Sequence, residues 1–303
     1  MVKSQLIELL RTFDKKEIRA CKKWLNSPFH NQRQDVVDLY NYLFTRDHLY
    51  KDKKLEKAYV FKRIFPKEVF DDAKIRQTMY FLLKSLEEYL LYDRLKKDEV
   101  RNRILLAEIY REEKQLNKLA AKSLEIARTS LDKAEVRNLD FQWNDYLLKR
   151  EETDFLESGR FERIEEYMNT VRAFDKHYIA TRFRDLCALY THKKDRFSDV
   201  ENSLIDVLSS YAENLDSEES PAIFVYYNLY KVLTEQNDEQ FTVFKEKLVA
   251  YKDRFDDEDK YGIFLLTINH CIRKMNSGKR EYLDDAFSFY KIGIEDKFLI
   301  QNE

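Results

Sequence analysis

Residues 157–171 read Glu-Ser-Gly-Arg-Phe-Glu-Arg-Ile-Glu-Glu-Tyr-Met-Asn-Thr-Val. A break containing Gly159 precedes the aromatic residue Phe161, and apolar residues then recur every three or four positions, as on one face of a helix. These apolar residues are Ile164, Tyr167, Met168 and Val171. The stretch therefore predicts a turn that leads into an amphipathic α-helix.

The same arrangement recurs further along the chain. Its aromatic residues, Phe161, Phe197, Phe241 and Tyr282, are 36, 44 and 41 residues apart. A period near 40 residues is typical of stacked helical hairpins, each of which buries its apolar face on the next. We expect a buried aromatic at the turn inside or between helix pairs in each of three segments: Gly159-Arg160-Phe161, Asp195-Arg196-Phe197 and Gln240-Phe241.

The composition indicates an all-α protein. The 303 residues include only 4 Gly and 3 Pro, fewer than the turns and phosphate loops of β-rich or α/β proteins require. We expect more than three-quarters helix and no sheet. The three cysteines form no CxxC pair and are odd in number, so we expect buried thiols without a disulfide or a zinc site. They are Cys21, Cys187 and Cys271.

The two parts of the chain differ in charge. Residues 1–97 contain 22 Lys and Arg against 14 Asp and Glu, whereas the remainder contains 32 against 42. We expect a basic N-terminal helical module over 1–97 and a helical-repeat α-solenoid over 98–303. Helix boundaries in the module are marked by the capping box of Asp14 and Glu17 and by Pro28 and Pro66.

The breaks in residues 98–303 resemble the entry to the second helix of tetratricopeptide repeats. That entry often reads Gly, any residue, an aromatic and acidic residues, followed by an apolar stripe. The resemblance implies that residues 98–303 form a right-handed solenoid of tetratricopeptide-like repeats of a degenerate kind. No polar capping helix follows Phe298-Leu299-Ile300, so we also expect the native chain to extend beyond residue 303.

Three motifs in the N-terminal module are similar to those of uncharacterised, all-helical Bacteroidetes proteins with degenerate repeats. They are Lys16-Glu17-Ile18-Arg19, Leu25-Asn26-Ser27-Pro28-Phe29-His30-Asn31, and Val60-Phe61-Lys62-Arg63-Ile64-Phe65-Pro66 with the following Phe70-Asp71-Asp72. The resemblance implies fold and lineage and brings no activity with it.

A second resemblance concerns nucleic acid. The motifs Ile64-Phe65-Pro66, Ile75-Arg76-Gln77 and Leu82-Leu83-Lys84-Ser85-Leu86 resemble the paired helices of winged-helix transcriptional activators. The analogy implies that four side chains face a DNA duplex: Lys74, Arg76, Gln77 and Lys84. A β-hairpin should follow the second helix of such a domain, but the sequence from Tyr92 onward predicts more helix.

No catalytic or cofactor motif is present. The sequence lacks GxGxxG, GxxxxGK[ST], HExxH and GxSxG, and none of its five histidines has a His or Cys three or four residues away. The acidic run at residues 256–259 stands where a helix should begin and predicts capping instead of a cation site. We expect neither enzyme activity nor a cofactor.

The remaining clues concern location and partners. The first residues form no signal peptide and no apolar stretch approaches the roughly 20 residues of a membrane span, so we expect a cytoplasmic protein. Tyr226, Tyr227 and Tyr230 either fill an inter-helix seam or line a concave surface that binds a peptide. We expect a non-catalytic scaffold that binds a protein or peptide. The alternative is a transcriptional regulator that binds nucleic acid through the N-terminal module.

Overall fold

The computed structural model of the protein describes residues 1–157, 164–192, 202–235 and 237–300. It is 80 % helical, and the described residues form α-helices and short 3₁₀ segments without a strand. The predicted all-α class, with more than three-quarters helix, is therefore confirmed. The chain divides into two compact units, Met1–Asp98 and Glu99–Glu303.

The first unit is built around one long helix. Its helices are α1 (Gln5–Arg11), α2 (Lys15–Leu25), α3 (Gln34–Phe44), α4 (Lys57–Ile64) and α5 (Asp72–Lys97). Two 3₁₀ segments, Thr45–Tyr50 and Asp52–Leu55, separate α3 from α4. The other four helices all contact α5, whose apolar side chains lie in their shared core.

The ends of these helices follow the sequence signals. The Asp14 carboxylate accepts hydrogen bonds from the backbone N–H groups of Lys16 and Glu17, and the Glu17 carboxylate accepts one from Asp14 N at 2.8 Å. Asp71 caps α5 in a similar way. Helices α2 and α4 end shortly before Pro28 and Pro66. Local chemistry therefore sets these boundaries, as predicted.

The second unit contains nine described α-helices. They are α6 (Glu99–Glu112), α7 (Asn117–Asp132), α8 (Leu139–Glu157), α9 (Ile164–His192), α10 (Asn202–Glu213), α11 (Pro221–Glu235), α12 (Asp238–Tyr251), α13 (Asp257–Asn276) and α14 (Tyr282–Glu295). A 3₁₀ segment, Lys252–Arg254, follows α12. Helices adjacent in sequence pack together in most cases, and α9 also packs against α11.

Two apolar clusters hold this unit together. A smaller one joins α6, α7 and α8, and a larger one runs from Leu139 to Phe298. Beside the smaller cluster, Arg111 of α6 donates two hydrogen bonds to the buried Glu151 carboxylate of α8, at 2.8 and 3.0 Å. This ion pair joins α6 to α8.

The predicted repeat aromatics can be checked in part. Phe241 is buried, as predicted, but it is the fourth residue of α12 and does not stand at a turn between helices. Its ring centroid lies 4.9 Å from that of Tyr282, which is also buried. Gly159-Arg160-Phe161 and Asp195-Arg196-Phe197 lie outside the described residues. All three cysteines are buried and free.

Candidate protein-binding surface

The first half of α9 carries a continuous exposed stripe of apolar side chains, called here the α9 stripe. Its members recur at helical spacing and are between 39 % and 77 % exposed: Ile164, Tyr167, Met168, Val171, Phe174 and Tyr178. The stripe extends over about 21 Å of helix at 1.5 Å per residue. Isolated exposed apolar residues are ordinary on protein surfaces, whereas a contiguous row marks a site of interaction.

The stripe exists because only part of α9 is covered. Within residues 164–178 the single buried residue is Ala173, whereas Ala180, Phe183 and Cys187 in the second half are fully buried. The second half lies in the larger apolar cluster of the unit, and the first half is only partly covered. The helix therefore presents apolar surface beyond what its own fold covers.

An aromatic cluster adjoins the stripe. Trp143 and Tyr146 of α8 have ring centroids 5.3 Å apart, and Tyr146 lies 5.1 Å from Phe174. His177 lies 5.0 Å from Trp143, and Tyr178 stacks on Phe174 at 6.5 Å. Trp and Tyr are the side chains that most often dominate the energy of protein interfaces, because they are large and lose little conformational entropy.

The charged residues near the α9 stripe have both signs and include the partly buried Glu166, Asp175 and Lys176. Glu165 and Arg172 are exposed beside it. Burial lowers the pKa of His177 and so favours the neutral form of this imidazole. Burial also raises the pKa of Tyr211 on α10. The nearby carboxylate of Asp175 on α9 raises this pKa as well, whereas the Arg172 guanidinium lowers it. The surface thus favours an apolar partner over a strongly charged one.

The tyrosines that the sequence singled out lie mainly in the core. Tyr226 and Tyr227 of α11 are only 3 % and 6 % exposed, and Tyr230 is half-buried. The Tyr226 hydroxyl donates to Asp259 Oδ1 at 2.8 Å, and the Tyr227 hydroxyl donates to Glu213 Oε1 at 2.6 Å. The sequence left two roles open for these tyrosines, and their burial matches the role of filling an inter-helix seam.

The four side chains of the nucleic-acid analogy lie on α5. Lys74 Nζ donates to Glu68 Oε1 at 2.6 Å, and Arg76 Nε lies 2.9 Å from Asp72 Oδ2. Gln77 and Lys84 are exposed. Because Glu68 and Asp72 neutralise two of the three cations, this face has a weaker positive field than its sequence indicates.

The predicted continuation of helix after Tyr92 is confirmed. Helix α5 runs to Lys97 and α6 begins at Glu99, so residues 92–112 contain no β-hairpin. The wing of a winged helix is thus missing at the position where the analogy requires it.

The described residues show little evidence of a metal site, a cation site or a membrane-spanning helix. Among them, no group of three or more His, Cys, Asp or Glu side chains could hold a metal ion. The carboxylate of Asp256 accepts a hydrogen bond from Asp259 N at 2.9 Å and so caps α13, as predicted. No described helix has the length and apolar character needed to cross a membrane.

Comparison with known proteins identifies no relative of this chain. The sequence matches no known protein-family profile, and the chain has no significant match among curated proteins or among solved structures. The similarities to Bacteroidetes proteins and to tetratricopeptide repeats therefore remain expectations drawn from sequence motifs.

Proposed function

We propose that this chain is a non-catalytic interaction scaffold that binds an amphipathic helix of a partner protein on the α9 stripe. The observation that carries the proposal is the row of six exposed apolar side chains along about four turns of one helix. Covering them would remove apolar surface from water, which is the main driving force of protein association.

The spacing of the stripe supports a helical partner. Apolar side chains that recur every three or four residues form ridges that fit the grooves of a second helix. The neighbouring Trp143 and Tyr146 widen the surface on the α8 side, where their rings contact Phe174 and His177. Since the nearby charges have both signs, we expect moderate salt to weaken binding only slightly.

We also propose that the second unit is a tetratricopeptide-like right-handed solenoid with degenerate repeats. Packing between successive helices and the roughly 40-residue spacing of Phe241 and Tyr282 support this arrangement. Helix α9 departs from a regular repeat, because its 29 residues exceed the length of its neighbours. The stripe lies in its first half.

Nucleic-acid binding through α5 is the alternative proposal. It draws support from the excess of Lys and Arg in residues 1–97. The ion pairs of Lys74 and Arg76 with acidic neighbours argue against it, because they reduce the positive charge that would attract phosphate. Duplex binding by the full chain that falls steeply with salt and is lost on Lys84→Glu would favour it.

The test of the scaffold proposal uses a photo-crosslinking amino acid at Val171, which is 60 % exposed in the stripe. Crosslinked partners from native lysate are identified by mass spectrometry and then purified for a direct binding measurement. We expect Val171→Glu to weaken binding of the purified partner by at least about tenfold, which corresponds to roughly 1.4 kcal/mol.

Val243→Glu is the matched control. Val243 lies on α12, is 56 % exposed and belongs to no apolar row, so its replacement adds the same charge at a similar exposure. It should leave binding unchanged. Equal loss in both variants, or binding to lipid vesicles with no crosslinked protein, would contradict the proposal.

A further inference from the structure

Helix α14 is apolar on two faces. One face lies in the core of the second unit through Tyr282, Ala286, Phe289 and Gly293. The second face is exposed and comprises Leu283, Phe287, Tyr290 and Ile294, with exposed fractions of 55 %, 70 %, 43 % and 54 %. These four residues, called here the α14 seam, are four, three and four positions apart, which is the heptad spacing of a helix that packs against another helix.

The α14 seam is symmetric along the helix. If a second α14 lies antiparallel to the first, with the two-fold axis passing between Ser288 and Phe289, Leu283 of each copy faces Ile294 of the other. Phe287 then faces Tyr290. Every apolar residue of the seam thus meets another apolar residue of the same seam, as an isologous two-fold interface requires.

Two exposed charges beside the seam are complementary in the same arrangement, and one of them, Lys291, also lies 3.8 Å from Glu295 of its own helix. Asp284 and Lys291 lie on the same flank of the helix, one position after Leu283 and Tyr290, and both are exposed. In the antiparallel pair, Asp284 of one copy lies about 3 Å along the axis from Lys291 of the other, and the symmetry forms this contact twice. In a parallel pair the two residues are about 10 Å apart along the axis.

We propose that the α14 seam binds a second copy of this chain, forming a two-fold dimer of antiparallel α14 helices. The inference is independent of the partner proposed for α9. With about 200 Å² of surface per large side chain, the exposed fractions amount to roughly 450 Å² per copy. That is below the roughly 800 Å² of a standard interface, so the dimer is weak and reversible.

Sedimentation equilibrium of the full chain tests the proposal over about 1 to 500 µM, the range in which a weak dimer dissociates. The average mass should rise with concentration from 36.8 kDa toward twice that value. Phe287→Asp should abolish the rise, because it buries an unpaired charge at the centre of the seam. Val243→Asp on α12 adds the same charge at an exposed position outside the seam and should leave association unchanged.

Charge exchange tests the register. Asp284→Lys alone brings like charges together, as does Lys291→Asp alone, so each variant should weaken self-association by at least about tenfold. An equimolar mixture of the two variants should recover dimerisation, since in the mixed dimer the two lysines of one copy face the two aspartates of the other. Circular dichroism confirms that each variant is folded.

Three results would overturn the inference. One is a wild-type chain that stays monomeric throughout the concentration range. Another is a dimer that survives Phe287→Asp, which would place the contact elsewhere. The third is a mixture of the two charge variants that associates no better than either variant alone, which would exclude the antiparallel register.

Discussion

Acidification should destabilise the second unit through His270, which lies in the core on α13. The side chain is only 4 % exposed, and its ring centroid lies 5.4 Å from that of Phe241 and 6.0 Å from that of Tyr282. Its Nε2 atom is buried without a hydrogen-bond partner. A proton added to this ring would place a positive charge among aromatic side chains.

The size and sign of the effect follow from the surroundings of His270. Burial, together with the nearby charges of Lys274 and Arg273, lowers its pKa to about 4 from the ordinary 6.5, although Asp238 acts in the opposite sense. Above pH 6.5 the imidazole is neutral in both states. Between pH 6.5 and 4 the unfolded chain binds a proton that the folded chain does not, so the free energy of unfolding should fall by roughly 3 kcal/mol.

The assay compares the wild-type chain with His270→Leu by urea denaturation between pH 7.5 and 4. Both are studied in a Trp24→Phe background, because Trp143 fluorescence then reports on the second unit alone. Leucine has a similar volume and no titrating group. The variant should therefore be at least as stable as the wild type at pH 7.5 and lose much less stability on acidification.

Burial also lowers the pKa of His177 and raises the pKa of Asp259 in the second unit, but these groups are common to both proteins. The difference between the two pH profiles therefore isolates His270. Parallel profiles would refute the reasoning, because they would mean that the folded protein accommodates a proton on His270 without cost. A wild type that becomes more stable than the variant toward pH 4 would refute it as well.

Three further predictions concern stability. Phe241→Ala should cost about 3–5 kcal/mol because it leaves a cavity in the core, whereas Val243→Ala at an exposed site should change stability by less than about 0.5 kcal/mol in the same denaturation assay. Arg111→Ala should cost about 3–5 kcal/mol, because Glu151 is left charged and buried, and replacing both residues by apolar ones should recover most of the loss. Asp14→Ala should cost about 1 kcal/mol through loss of the helix cap, measured by Trp24 fluorescence in a Trp143→Phe background.

Much of the fold could be predicted from short stretches of sequence. The capping box at Asp14, the cap at Asp71 and the stops before Pro28 and Pro66 depend on backbone and side-chain atoms within a few residues of each other. The all-α class likewise follows from apolar periodicity and from the scarcity of Gly and Pro. Such features need no knowledge of which helices come together.

The candidate surface could not be predicted in the same way. Residues 164–171 and 226–230 both show apolar or aromatic side chains at helical spacing, and the sequence singled out only the second group, for which it left open an inter-helix seam or a partner-binding surface. In the structure, Tyr226 and Tyr227 are covered, whereas Met168 and Val171 are exposed. The signal that could have separated them is helix length, since the apolar pattern of α9 continues for longer than one repeat can cover.

The sequence by itself determined where helices begin and end and which of their faces are apolar. Only the tertiary structure decided which apolar faces are covered, because burial depends on neighbours that are distant in the chain. Leu283 and Phe289 of α14 show this difference, since both are large and apolar and lie on the same helix. Phe289 packs 5.7 Å from Phe264 of α13, whereas Leu283 faces solvent, because α13 covers only one side of α14.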